Sequence, residues 1–163
     1  MTTSNQYPSL QIAAGELPAA LVADVEIHWQ SLFERCDEQQ RDWYQKFAAS
    51  DRRQQLLTAF SCSPALADLC VRKPAWLPSL VASQALQTGL AKDAWVEELR
   101  DLCAECESAD ALAKILRDFR NRHWLRIVWR DLNRLAAMEE TVSDLSYLAD
   151  ACVEVALAYL HQQ

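Results

Sequence analysis

Apolar residues recur at helical spacing along most of this chain, and nowhere do they alternate with period two over a strand's length. After a polar, unpatterned start, Leu21, Val25, Trp29 and Leu32 share one face, which predicts a helix from Pro18 to about Glu34. Asp37 reads as the N-cap of a helix burying Trp43, Tyr44 and Phe47, and Ser50 as the cap of one burying Leu56, Leu57 and Phe60. Ser63-Pro64 is a cap followed by Pro at the first helical position, and that helix presents Leu66, Leu69 and Cys70. Lys73-Pro74 ends it, because Pro disfavours helical geometry at the residue before it. Trp76, Leu77, Leu80 and Val81 form a helical turn or two. Gly89 sits where a helix would stop and need a left-handed residue. A helix over about 92–105 carries the stripe Trp95, Leu99, Leu102, Cys103 and Cys106.

Two longer helices follow. The stretch Ala109–Ala137 holds no Gly or Pro and is rich in Leu, Ala, Arg and Lys, so Ser108 caps one helix of about 40 Å at ~1.5 Å per residue. Its apolar face changes part-way, from Leu112, Ile115, Leu116 and Phe119 to Leu125, Val128, Trp129, Leu132, Leu135 and Ala136. Either the helix breaks near Asn121–Trp124 or it buries opposite sides in two layers. Opposite the second stripe stand Arg122, Arg126, Arg130 and Arg134, with Ile127 beside them. Thr141 then reads as an N-cap with Asp144 at the capping-box position. The final helix, about Val142–His161, turns Leu145, Leu148, Ala149, Cys152, Ala156, Tyr159 and Leu160 inward. The expected architecture is all-α. It is an irregular bundle of about seven helices ending in a long arginine-rich helix and an antiparallel C-terminal one. Residues 1–16 form a loose arm and 17–163 a single helical domain.

Composition agrees with a globular, Gly-poor chain: 51% hydrophobic, 24% charged and two glycines in 163 residues. The net charge of −7 argues against nucleic-acid binding. Within 109–137, however, seven Lys and Arg face three Asp and Glu, which leaves nine against 20 elsewhere. One basic helix on an acidic body fits a specific anionic partner or an internal acidic neighbour. No signal peptide and no membrane-length apolar run is visible, which places the chain in the cytoplasm. Six cysteines in such a chain read as reduced thiols, and Cys103-Ala-Glu-Cys106 lacks a second ligand pair, so no metal site is expected.

Catalytic constellations are sparse. His28, His123 and His161 lie on separate helices, and His123 reads as a surface or interface residue. The paired acids Glu97-Glu98 and Glu139-Glu140 point about 100° apart on a helix and do not converge. The candidate interface or anion-binding residues are therefore Arg117, Arg120, Arg122, Arg126, Arg130 and Arg134. Guanidinium forks bind phosphate or carboxylate bidentately. The plainer reading pairs them with acids of neighbouring helices, or lays their stems over apolar surface.

The run from Leu116 to Leu132 follows the pattern LRxFRxRxxxRIxWRDL, carried by Leu116, Arg117, Phe119, Arg120, Arg122, Arg126, Ile127, Trp129, Arg130, Asp131 and Leu132. A spacer leads to LSxLAD at Leu145, Ser146, Leu148, Ala149 and Asp150. Upstream, SPALADLCVRKPAWLPSL over Ser63–Leu80 resembles a third pattern, SxFxxxxxxxxPxWLxxL, with Ala65 at the Phe position. Together these resemble the segment preceding the first catalytic domain of the bifunctional glutamine synthetase adenylyltransferase and adenylyl-removing enzymes. The resemblance implies a parent enzyme that attaches AMP to a tyrosine of glutamine synthetase and removes it. That parent uses two nucleotidyltransferase domains, ATP and Mg, under control of the PII protein and glutamine. It also implies that the family's G-x-G/A-K-L-G-G-x-E-L and S-D-x-D-L motifs come after a segment like Val142–Leu160, and neither occurs in this chain. The chain is accordingly expected to be a non-catalytic N-terminal helical part, inactive by itself and holding no cofactor. Its expected partners are the adjoining nucleotidyltransferase domain and glutamine synthetase. The alternative is a stand-alone helical module docking an acidic partner through its arginine face.

Overall fold

The computed structural model describes residues 7–161, and among them eight helices and no strand are found. They are α1 (Ala19–Arg35), α2 (Glu38–Ala48), α3 (Arg53–Cys62), α4 (Pro64–Arg72), α5 (Trp76–Ala82), α6 (Lys92–Cys103), α7 (Ala109–Leu132) and α8 (Met138–His161). The all-α reading holds, with the turns after Trp76 counted as a helix of their own. The chain divides into two compact units, Met1–Ser83 and Gln84–Gln163, where a single domain is expected from sequence.

In the first unit the signals at Asp37 and Ser63 act as read, but Ser50 does not cap α3: the N-cap position is Arg52, and Ser50 Oγ accepts from Arg52 N at 3.1 Å in the turn before the helix. Asp37 accepts from Gln40 N at 2.8 Å while the Gln40 side chain accepts from Asp37 N at 3.1 Å, a complete capping box. Ser63 Oγ accepts from Leu66 N with Pro64 in the first turn. The core collects Trp29, Leu32 and Phe33 of α1, Tyr44 of α2, Leu56, Leu57 and Phe60 of α3, and Leu66 and Cys70 of α4. Burial pushes the Cys70 thiol up to about 12, so it packs as an apolar group.

The expected arm needs correction. Residues 1–6 lie outside the described residues, but 7–16 are fastened rather than loose. Trp29 Nε1 donates to the Pro8 carbonyl at 2.8 Å, and Leu10 is buried. Glu16 and Arg53 form a two-point ion pair at 2.8 and 3.0 Å, and Arg53 also donates to the Leu10 carbonyl. These anchors lie 21 to 43 residues apart in sequence, beyond what a local pattern reveals.

The second unit is built from α6, α7 and α8. Trp95 and Leu99 of α6, Phe119 and Ile127 of α7, and Leu148, Ala151 and Val155 of α8 form its core. Ser108 caps α7 by accepting from Ala111 N at 3.2 Å, and the helix is continuous through Asn121–Trp124. It ends earlier than its composition suggests. Arg134 takes a positive φ of 55° and Leu135 N returns to the Arg130 carbonyl at 2.8 Å, so Leu135 and Ala136 belong to the turn. Helix α8 starts at Met138 and not at Thr141, whose amide already bonds the Ala137 carbonyl. Arg126 meets Asp144 while Arg130 meets Glu140, so contacts descend α8 as they climb α7, and the two run antiparallel.

Two further expectations fail. Gly89 does not have a positive φ; after α5 it is Gln84 that takes the left-handed conformation, at φ 59°. The α6 stripe is interrupted, since Leu102 is exposed.

Candidate functional site

The basic helix turns its arginines inward. The buried positions of α7 are Leu112, Phe119, His123, Leu125, Arg126, Ile127, Trp129 and Arg130. Beyond His123 the helix is thus buried both on the Leu125–Trp129 side and on the side carrying Arg126, Ile127 and Arg130. Ile127, which looks stranded among charges in the sequence, is a core residue of α6–α8 packing.

Arg126 is 1% exposed. Its Nη1 donates to Asp144 Oδ2 at 2.9 Å, its Nε to the Ala85 carbonyl at 2.9 Å and its Nη2 to the Thr88 carbonyl. The guanidinium carbon lies 5.7 Å from the centre of the Trp95 ring, within cation–π range. Burial pulls the guanidinium's pKa below its ordinary value and Asp144 pushes the other way; a guanidinium nevertheless stays charged. One turn on, Arg130 Nη1 donates to Glu140 Oε1 and lies 3.7 Å from Asp144 Oδ2, while Nη2 donates to the Leu135 carbonyl. A buried charge is costly unless paired and hydrogen-bonded. Arg126 has a partner on each of its three nitrogens, whereas Arg130 is paired through its two terminal nitrogens and its buried Nε has no hydrogen-bond partner among the described residues.

Gly89 passes close to this ladder. A Cβ on it would lie 2.8 Å from Glu140 Oε1, so the absence of a side chain leaves room for the carboxylate that Arg130 holds. Beside the ladder, His123 is 3% exposed, with ring centres of Trp95 and Phe119 at 4.8 and 4.3 Å. Its Nε2 is 3.3 Å from Glu98 Oε2, and Arg122 Nη1 is 3.4 Å from Glu98 Oε1. His123, and after it Arg122, hold the Glu98 carboxyl below the usual range against the effect of burial. The surface reading of His123 is corrected: it is a core histidine.

The six candidate arginines therefore separate. Arg126 and Arg130 are enclosed, and Arg122 is half-buried against Glu98. Arg117, Arg120 and Arg134 are exposed, and Arg120 bonds the side chain of its neighbour Asn121 at 3.0 Å. No single arginine face exists. The acids that complete the ladder, Asp144 and Glu140, escape the sequence reading. The available signal is the spacing Asp144, Leu148, Ala151, Val155, the stripe that α8 does bury. The richer stripe of Leu145, Ala149 and Leu160 masks it, and those residues are exposed.

Among the described residues no group of three or more His, Cys, Asp or Glu is placed to hold a metal, and no helix is long and apolar enough to cross a membrane.

The family model of glutamate-ammonia ligase adenylyltransferase matches residues 53–163. The chain is 35% identical over 155 residues to a bifunctional glutamine synthetase adenylyltransferase/adenylyl-removing enzyme of Pseudomonas aeruginosa, covering 95% of this chain and 14% of that enzyme. It is 31% identical over 147 residues to the enzyme of that name from Shewanella loihica, covering 90% of this chain and 15% of the relative. For that of Pseudomonas putida the figures are 38% over 109 residues, 67% and 11%. The chain thus spans about one seventh of the length of the first two of these relatives. No solved structure matches it.

Proposed function

The chain belongs to the glutamate-ammonia ligase adenylyltransferase family, and from that premise we propose that it is the non-catalytic, N-terminal helical part of a bifunctional enzyme of nitrogen metabolism. That enzyme attaches AMP to a tyrosine of glutamine synthetase and removes it. The role of this part is to stiffen and present the adjoining nucleotidyltransferase domain in the cytoplasm. Glutamine synthetase is the substrate and the PII protein the regulator of the whole enzyme.

The reading rests on the Arg126–Asp144 and Arg130–Glu140 pairs. The most basic stretch of the chain has its two central guanidinium groups buried and paired with its own acids, which suits a strut better than an anion site. ATP and Mg belong to the catalytic domains. Their usual cradle is a glycine loop with converging aspartates, and this chain offers two distant glycines and no convergent acid cluster among the described residues. No chemical step is assigned to its residues. The stand-alone docking module keeps one supporting observation, the exposure of Arg117, Arg120 and Arg134.

The test is a chimera in which this chain replaces the matching segment of the Pseudomonas aeruginosa enzyme. AMP release from adenylylated glutamine synthetase is then measured. Activity within several-fold of the parent, lost when the segment is deleted, is expected. A folded chimera without activity would overturn the reading.

A further inference from the structure

Helix α8 buries only one side. Opposite Asp144, Leu148, Ala151 and Val155 lie Val142, Leu145, Val153 and Leu160, which are 56%, 43%, 59% and 63% exposed. With exposed Ala149 and half-buried Ala156 they occupy an arc of about 80°, at ~100° per residue, that holds no charged residue. From Val142 to Leu160 the strip runs about 27 Å at ~1.5 Å per residue. Single exposed leucines are ordinary, but a continuous seam of this length marks an interaction surface.

The two edges of the seam differ in charge. Toward α7 it continues through half-buried Cys152 into a groove of about 390 Å³ lined also by Ala113, Leu116, Arg117 and Arg120. Arg117 makes no ion pair among the described residues, and Arg120 bonds only the neighbouring Asn121 there. The far edge carries the exposed acids Glu139 and Asp150. An apolar floor with one basic and one acidic rim selects an amphipathic helix and fixes its orientation. A second copy pairing α8 against α8 face to face and antiparallel would set basic rim on basic rim and acidic on acidic; only a parallel pairing would oppose unlike rims, and the concentration series below reports it. In the relatives the matched stretch is about one seventh of the polypeptide, so a helix of the same chain would meet this seam at high effective concentration.

We infer that the α8 seam docks an amphipathic helix of the parent polypeptide from outside this segment, its apolar stripe bordered by acidic residues where it meets Arg117 and Arg120. The inference rests on the family reading above, but its test does not depend on activity. Val153→Cys is introduced, with Cys62→Ser and Cys152→Ala, into the 163-residue chain and into the chimera, and the rate at which a maleimide labels position 153 is followed by mass spectrometry of the peptide that carries it. The expected result is fast labelling in the chain alone and labelling at least tenfold slower in the chimera, partly restored there by Arg117→Glu with Arg120→Glu. Equal rates in the two proteins would overturn the inference. So would a rate in the chain alone that falls as its concentration rises from 1 to 100 μM, which assigns the seam to a second copy. Protection in a chimera that releases no AMP would uphold the docking while defeating the functional reading.

Discussion

Arg126 of α7 and Asp144 of α8 meet at 2.9 Å with side chains 1% and 5% exposed. This pair decides which way the basic helix faces. With Arg130 held by Glu140 one turn further on, it fixes the register between α7 and α8 and closes two loop carbonyls, Ala85 and Thr88, onto the same guanidinium. A buried pair of this kind acts more through the penalty for breaking it than through net stabilisation.

Gly89 supports the ladder through space rather than through backbone conformation. Gly89→Ala is expected to push the Glu140 carboxylate off Arg130 and to cost about 1 kcal/mol, below the ~1.5–3 kcal/mol of a hydrogen bond to a charged group because the flexible, part-exposed Glu140 side chain can swing aside. In a Glu140→Ala background the same change should be neutral or slightly stabilising, because the obstructed group is gone and a loop glycine has been stiffened. Urea unfolding of the four proteins checks this; equal costs in both backgrounds would place the effect elsewhere.

Acid sensitivity of the first unit should trace to Glu16. Arg53, followed by the Ala13 amide, holds its carboxyl at about 2, below the ordinary 4.5. A depressed folded-state pKa stabilises the fold fully above the unfolded value and loses that contribution as the pH falls toward the folded one. The Tm gap between the native chain and Glu16→Gln should therefore be constant above about pH 5 and shrink between 4.5 and 2. A gap independent of pH over that range would show that the carboxylate charge is not what matters.

The fastened arm predicts a cost for trimming. Removing residues 1–10 strips Leu10 from the core and the Pro8 carbonyl from the Trp29 indole, and with them Tyr7, whose ring lies under Arg41 and 6.1 Å from Phe33. Leu burial and one buried hydrogen bond together suggest a loss of about 2–4 kcal/mol. Stability unchanged on chemical denaturation would make these contacts energetically idle.

Local features were legible from sequence, and so were the buried faces of α1, α3 and α4, but the facing of α7 and α8 was not. The caps at Asp37, Ser63 and Ser108 and the stop at Lys73-Pro74 depend on residues within four positions of one another, so a one-dimensional pattern contains them. Helices α7 and α8 each offer two credible stripes, and only the partner helix decides between them. In α8 the more apolar stripe is exposed, because the buried one includes Asp144, whose burial makes sense only beside Arg126. In α7 the arginines invite an outward reading for the same reason. His123 is legible only in three dimensions, since Glu98 and Trp95 come from another helix. The family motif contains Arg126, Arg130 and Asp131 but stops short of Asp144, so the resemblance named one half of the pair and left its partner unmarked.

The most direct measurement is the unfolding free energy of Asp144→Ala beside that of the native chain. An inward strut predicts a loss of about 3–5 kcal/mol, because Arg126 is left charged and buried without its carboxylate. Stability within about 0.5 kcal/mol of native would contradict it, since a change of that size is typical of an exposed position. The arginines would then face outward, and the search would turn to what they bind.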